Sequence, residues 1–204
     1  MMEIIPLIRM ENRKPLLENK GREASIDELL GKLNKDSNIY FLDVDGLEKD
    51  KPNLCTYQKI SSHYNMWIDA GPRVLGDVVD AVMAGATSIT VRQNLWPKLD
   101  IEKIKEFTEN EIYVGIDFKD RINHKLDIFL PYGIDGIVLL NEREEIEKDF
   151  KIADSVKSLV SRSMQYKLYV CESNPENIYY WEKRGAVGLL VDVNKIERFK
   201  NHGV

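Results

Sequence analysis

The stretch VMAGATSITV, Val82–Val91, reads as the end of a helix, a Gly85-Ala86 turn and a short apolar strand. A second stretch, EKRGAVGLLV, Glu182–Val191, reads the same way, about 100 residues later and near half the chain length. A strand apolar on both faces, entered from a helix, belongs to a parallel sheet with helical crossovers. Working outward from these two units, eight strands are predicted: Glu3–Met10, Ile39–Val44, Met66–Ala70, Ser88–Arg92, Ile112–Phe118, Gly136–Leu140, Lys167–Cys171 and Val187–Val191.

Helical patterns fill the intervals. Ser25 and Glu28 form a capping-box pattern ahead of Leu29, Leu30 and Leu33. Helices are expected at Leu75–Ala84, Asp100–Glu109, His124–Tyr132, Phe150–Val160 and Asn194–Lys200. Asn174 and Pro175 open another, Glu176–Arg184, closed by Gly185. The segment before Ile60 gives the weakest pattern, and the charged run Glu142–Lys151 reads as a solvated loop entering a helix. The alternation predicts an α/β fold, a compact (β/α)8 TIM barrel with a half-barrel internal repeat, over 1–204 as a single domain. A flavodoxin-like or Rossmann open sheet is the alternative, but no Gly-x-Gly-x-x-Gly follows the first strand.

Composition narrows the function classes. Of 204 residues, 43% are hydrophobic and 31% charged, with a net charge of −5. That balance argues against a dedicated nucleic-acid binder, and no run is long enough to cross a membrane. Met1–Ile8, carrying Glu3 and Pro6, does not read as a signal peptide. Two cysteines, Cys55 and Cys171, fit no metal or redox motif, so a cytoplasmic setting is expected.

Active sites of barrels gather at the C-terminal ends of the strands. Those ends read Arg9, Asp43, Asp45, Asp69, Arg73, Arg92, Asn94, Asp117, Lys119, Asn141, Glu172 and Asp192. Polar residues also appear there simply because a strand is meeting solvent.

EIIPLI (Glu3–Ile8), IYFLDVDGL (Ile39–Leu47), WIDAGPR (Trp67–Arg73) and YVGIDFKD (Tyr113–Asp120) together resemble the HisA/HisF family. These are half-barrel-repeat enzymes of histidine biosynthesis, and the nearest likeness is to archaeal proteins related to the HisA sugar-phosphate isomerase. The resemblance covers roughly the first 120 residues. It implies two catalytic aspartates, at the ends of strands one and five, and phosphate-binding glycine loops. The second aspartate matches Asp117. The first position holds Arg9, which stays protonated and cannot exchange a proton near neutral pH. The loops depart too: a single Gly71 before Pro72, Arg92-Gln93 in place of Gly-Thr, Glu172 after strand seven, and Asp192-Val193-Asn194 after strand eight.

Three functions are therefore weighed: a diverged relative binding a small phosphorylated or carboxylated metabolite, a non-catalytic barrel serving as scaffold or partner, and an active sugar-phosphate isomerase or lyase-like enzyme. Asp117 and Arg9 are the catalytic candidates, either as an anion-binding arginine beside an acid or base, or as an ion pair closing the mouth. Arg73, Asp69, Asp45, Arg92 and Lys119 are the ligand-binding candidates. Asp43 and Asp45 share one strand face by alternation, and either contact a ligand or accept loop N–H groups. Asp69 with Arg73 forms either a surface salt bridge or part of an anion site. A ring of Asp45, Asp69, Asp117 and Asp192 has the oxygen ligands Mg²⁺ prefers, but Arg9 and Arg73 compete, so no metal and no cofactor are expected. His63, His124 and His202 miss every strand end, and Cys171 lacks a histidine to activate it. The implied partner is a small anionic metabolite, with no nucleic acid and no membrane; a protein partner stays open.

Overall fold

The computed structural model describes residues 2–16, 25–118, 133–162 and 166–200. Nine strands form one sheet: β1 (Glu3–Glu11), β2 (Lys14–Pro15), β3 (Asn38–Asp43), β4 (Asn65–Asp69), β5 (Ala86–Val91), β6 (Glu111–Ile116), β7 (Gly136–Leu139), β8 (Lys167–Cys171) and β9 (Ala186–Asp192). Strands β1 and β3–β9 pair in parallel in that order, and β9 returns to β1, so the sheet is a closed eight-stranded barrel. Among the described residues the helices are α1 (Ile26–Leu30), α2 (Val44–Lys49), α3 (Leu54–Ile60), α4 (Leu75–Met83), α5 (Ile101–Lys105), α6 (Arg143–Lys148), α7 (Phe150–Arg162), α8 (Ile178–Glu182) and α9 (Ile196–Lys200). No described helix is long and apolar enough to cross a membrane.

All eight expected strands are present within two residues at each end. The two stretches that first indicated the fold share one geometry. Gly85 and Gly185 both adopt positive φ, at 97° and 79°, which a glycine tolerates as a helix ends. The strand entered from each then shows the same one-residue register shift against its predecessor, at Met66/Trp67 and at Leu168/Tyr169. The internal repeat is thus visible as a matched pair of irregularities.

The structure departs from the expectations at several points. Asn12 and Arg13 both take positive φ, 50° and 62°, and fold β2 back on β1 as a tight hairpin; Asn12 favours this turn, Arg13 does not. The second barrel strand ends at Asp43, not Val44, because Asp43 caps α2 by accepting from Gly46 N at 3.2 Å. Asp43 and Asp45 therefore do not share a strand face. The run Glu142–Lys151 contains α6, and α5 and α8 are shorter than expected. The helix expected at His124–Tyr132 lies outside the described residues.

Two cores hold the barrel. The larger packs the outer faces of the strands against the helices, with Phe41, Tyr57, Trp181 and Phe199 at most 0% exposed. The smaller fills the cylinder with Ile5, Leu7, Tyr40, Leu42, Trp67, Tyr113, Val138, Tyr169 and Leu190. Trp67 is its hub, with ring centroids 5.1 Å from Tyr40, 4.0 Å from Tyr113 and 4.8 Å from Tyr169. Such bulk fits because two neighbours are glycines: a Cβ on Gly136 would lie 2.8 Å from the Tyr113 ring, and one on Gly188 2.8 Å from Tyr169. The barrel is a filled cylinder with an open upper rim.

Candidate functional site

At the C-terminal ends of the strands the rim opens into a concavity of about 930 Å³. Its floor includes Leu7, Leu42, Leu140, Cys171 and Leu190, and its charged and polar wall is Arg9, Glu11, Glu48, Arg92, Asn94, Asp117, Glu142, Glu145, Glu172, Ser173, Asp192 and Lys195. Leu16, just past the β1–β2 hairpin, also lines it.

Arg92 is the best-fixed cation of this rim. It follows β5, and only 12% of its side chain is exposed. Its Nε donates to Asp69 Oδ1 at 3.1 Å and its Nη2 to Asp69 Oδ2 at 2.7 Å, a two-pronged contact with a carboxylate that is fully buried. Tyr40 Oη donates to the same Asp69 at 2.7 Å. Trp67 Nε1 donates to Thr90 Oγ1 at 2.9 Å, and Thr90 Oγ1 lies 3.3 Å from Tyr40 Oη. Burial alone would lower the affinity of Arg92 for its proton, but Asp69 beside it more than reverses this, so the guanidinium stays charged. The Nη1 of Arg92 has no partner among the described residues, and no buried side-chain nitrogen or oxygen there lacks one. Arg92 also lines the open cavity, where Nη1 is the donor not spent on Asp69.

Arg9 stands at the upper end of β1, exposed, with its guanidinium making no hydrogen bond or ion pair among the described residues. Both arginines line this cavity, and the charge of each acts on the thiol of Cys171 at the end of β8. That thiol is nevertheless pushed up to about 12, first by burial and then by the charge of Glu142, so it is protonated near neutral pH and a poor nucleophile.

Asp117 follows β6 and lines the same cavity. Asn141 orients it, donating from Nδ2 to Asp117 Oδ1 at 3.0 Å while its own Oδ1 accepts from Phe118 N at 2.9 Å. Arg9 and Asp117 are brought to one rim, but no direct ion pair joins them among the described residues. The closing ion pair of the mouth is Arg92–Asp69 instead.

The remaining candidates lie elsewhere. Asp45 is on α2 and buried, and it is not part of the cavity wall. It accepts from Lys49 Nζ at 2.8 Å, Arg13 N at 3.1 Å and Asn53 Nδ2 at 3.2 Å, which ties the β1–β2 hairpin to α2. The contact with Lys49, more than its other partners, holds its carboxyl well below the usual range. Arg73 also lies outside the wall. Its Nη1 donates to Gly46 O at 3.1 Å, Gly71 O at 2.9 Å and Asp50 Oδ1 at 2.8 Å, and its Nη2 to Leu47 O at 2.8 Å. These donors cap the C-terminal carbonyls of α2 rather than face an open site. Asp43 is fully buried, accepting from Gly46 N, Asn53 N and the Tyr57 hydroxyl. Lys119 lies outside the described residues, as do His124 and His202. His63 is exposed between α3 and β4, away from the rim.

Strand-end reading missed Glu11, Glu48, Glu142, Glu145, Ser173 and Lys195. Glu142 is the informative one: half-buried, it accepts from Ser173 Oγ at 2.7 Å. Burial first, and the neighbouring charge of Glu172, push its carboxyl up from the ordinary value. Its place two residues beyond Leu140 was the available signal, hidden inside a run of charge. Glu172 is almost fully buried and spends its oxygens on Ser173 N, Asn174 N, Asn177 Nδ2 and Trp181 Nε1, fixing the loop after β8. No group of three or more metal-binding side chains occurs among the described residues.

No protein-family model matches the chain, and no curated protein matches it. Among solved structures it is similar to 3-hexulose-6-phosphate synthase from Salmonella typhimurium, with a TM-score of 0.67 over 98% of both chains and 11% sequence identity. At that identity the likeness is one of fold: a TIM barrel similar to that of a sugar-phosphate enzyme, from a different family than the sequence motifs resemble.

Proposed function

We propose that the rim binds a small anionic metabolite, phosphorylated or carboxylated, on a barrel diverged from the HisA/HisF type. One observation carries this reading: two guanidinium groups, Arg9 and Arg92, present spare N–H donors to one cavity at the functional end of the barrel. The Asp69 fork fixes Arg92 in advance, so little side-chain freedom is lost when an anion docks. Guanidinium donors match the spacing of carboxylate or phosphate oxygens. Asp117, oriented by Asn141, is the carboxylate beside the anion and the group to hold or accept a proton. Arg9 supplies charge where the resembled isomerases have an acid, so their two-aspartate chemistry is not proposed. The hexulose phosphate named for the structural neighbour belongs to the ligand class suggested.

Isothermal titration against a panel of sugar monophosphates and short carboxylates tests the reading. Binding is expected for at least one member, weakening as salt rises. Arg9→Gln is expected to lower that affinity by about tenfold, one charge-assisted contact, with an unchanged melting temperature. Absence of binding across the panel overturns the reading.

A further inference from the structure

We infer that the ligand of this cavity is an amphiphilic acid: a phosphate or carboxylate head on an aliphatic body poor in hydroxyl groups. The inference rests on the anion site proposed above and specifies what the anion is attached to.

The alternation of the strands layers the cavity. Leu7, Arg9 and Glu11 follow at every second residue along one face of β1, and Leu190 and Asp192 do the same on β9. Each step of two residues climbs about 6.6 Å, so these charged side chains stand one layer above the leucines. Below them the lining is aliphatic. Leu7, Leu42 and Leu190 belong to the internal core, with Leu140 and Cys171 half-buried against it. The polar groups beneath are spent: Tyr40 donates to Asp69, and Trp67 to Thr90. One side of the cavity has the same character. Leu47 of α2 and Leu95 beyond β5 close around Gly71, whose Cβ would lie 2.8 Å from the first and 2.5 Å from the second. Leu16, 38% exposed, joins from the hairpin, its N–H bonded to Arg9 O at 2.7 Å. Leu16, Leu47, Leu95 and Leu140 each keep surface in water that a hydrocarbon chain would cover. A polyol finds less here. Of the lining residues, only Asn94 and Ser173 have neutral hydrogen-bonding side chains, and Ser173 Oγ already donates to Glu142. Buried Glu172 already accepts from four N–H donors. Glu11, Asp192 and the exposed Glu48 could accept from hydroxyls nearer the solvent, but a polyol reaching lower would trade water for leucine. A head at Arg9 and Arg92 with a hydrocarbon body below meets partners at both depths.

Titration calorimetry of the full chain with ethyl, butyl and hexyl phosphate, set against ribose 5-phosphate and glucose 6-phosphate, tests this with the head group held constant. Affinity is expected to rise about twofold per added methylene, less than the roughly fourfold of a fully buried one. Hexyl phosphate is expected to bind about tenfold more tightly than either sugar phosphate. The chain-length slope is expected to flatten in Leu140→Asn and, as an independent check, in Leu47→Asn, with circular dichroism confirming that both variants fold. Arg9→Gln is expected to weaken all three alkyl phosphates alike and leave the slope unchanged. Equal affinity along the series, tighter binding of the sugar phosphates, or a slope that survives in both folded leucine variants overturns the aliphatic inference and leaves the anion site standing. No binding by any of the five, together with none across the wider panel, overturns both.

Discussion

The difference between Asp69 and Asp117 is one of depth. Both stand at strand ends, yet Asp69 is fully buried beneath Arg92 while Asp117 faces the cavity. Asp69→Ala leaves the Arg92 guanidinium without its counter-ion in a nearly buried place, and is expected to cost about 3–5 kcal/mol in urea denaturation. Glu142→Gln is expected to do the opposite. The folded-state proton affinity of Glu142 is raised, so its ionisation opposes folding above that value and costs nothing below the unfolded carboxylate's pKa of about 4.3. The variant should therefore melt higher than the wild type at pH 7, with the gain fading as the solution is acidified through that range; the groups around it are Glu172, Ser173, Glu145 and Lys195. Alternation and the strand-end rule were enough to single out Arg9, Arg92, Asp117 and Asn141 in the sequence. They could not say that Asp69 lies sealed or that Arg73 turns to backbone carbonyls, because period-two patterning assigns a face and not a depth.

Among the elements, strands were legible and caps and turns less so. Buried parallel strands announce themselves as apolar runs, and all eight were read correctly. The β1–β2 hairpin escaped because its turn depends on Arg13 at positive φ, a choice that contacts with Asp45 and Lys49 sustain. Asp45→Asn is expected to loosen that hairpin, seen as faster amide exchange at Arg13. The folded pKa of Asp45 is depressed, so its contribution is present above the unfolded value of about 3.9 and is lost as pH falls through the lower folded one. Wild type and variant should converge in stability in strong acid. Within β9, Gly188→Ala would drive a methyl to 2.8 Å from the Tyr169 ring and 3.1 Å from Glu3 O. The expected cost is about 1–3 kcal/mol, measured by thermal melting.

At the scale of the molecule, the internal core joins the two halves of the repeat. Trp67 comes from the first half, Tyr113 and Tyr169 from the second, and their rings touch. Neither half closes a cylinder without β1 meeting β9 and β5 meeting β6. The whole chain is expected to unfold in one transition, with tryptophan fluorescence and far-ultraviolet dichroism changing together; two separated midpoints would contradict this. That both halves keep the same register shift after Gly85 and Gly185 shows the repeat more clearly than their residue identities do.

The aromatic filling has one more consequence. With Tyr40, Trp67, Tyr113 and Tyr169 stoppering the axis, the cylinder offers no through passage. Whatever enters at the upper edge has to back out by the same doorway, so an arriving molecule waits for the departing one.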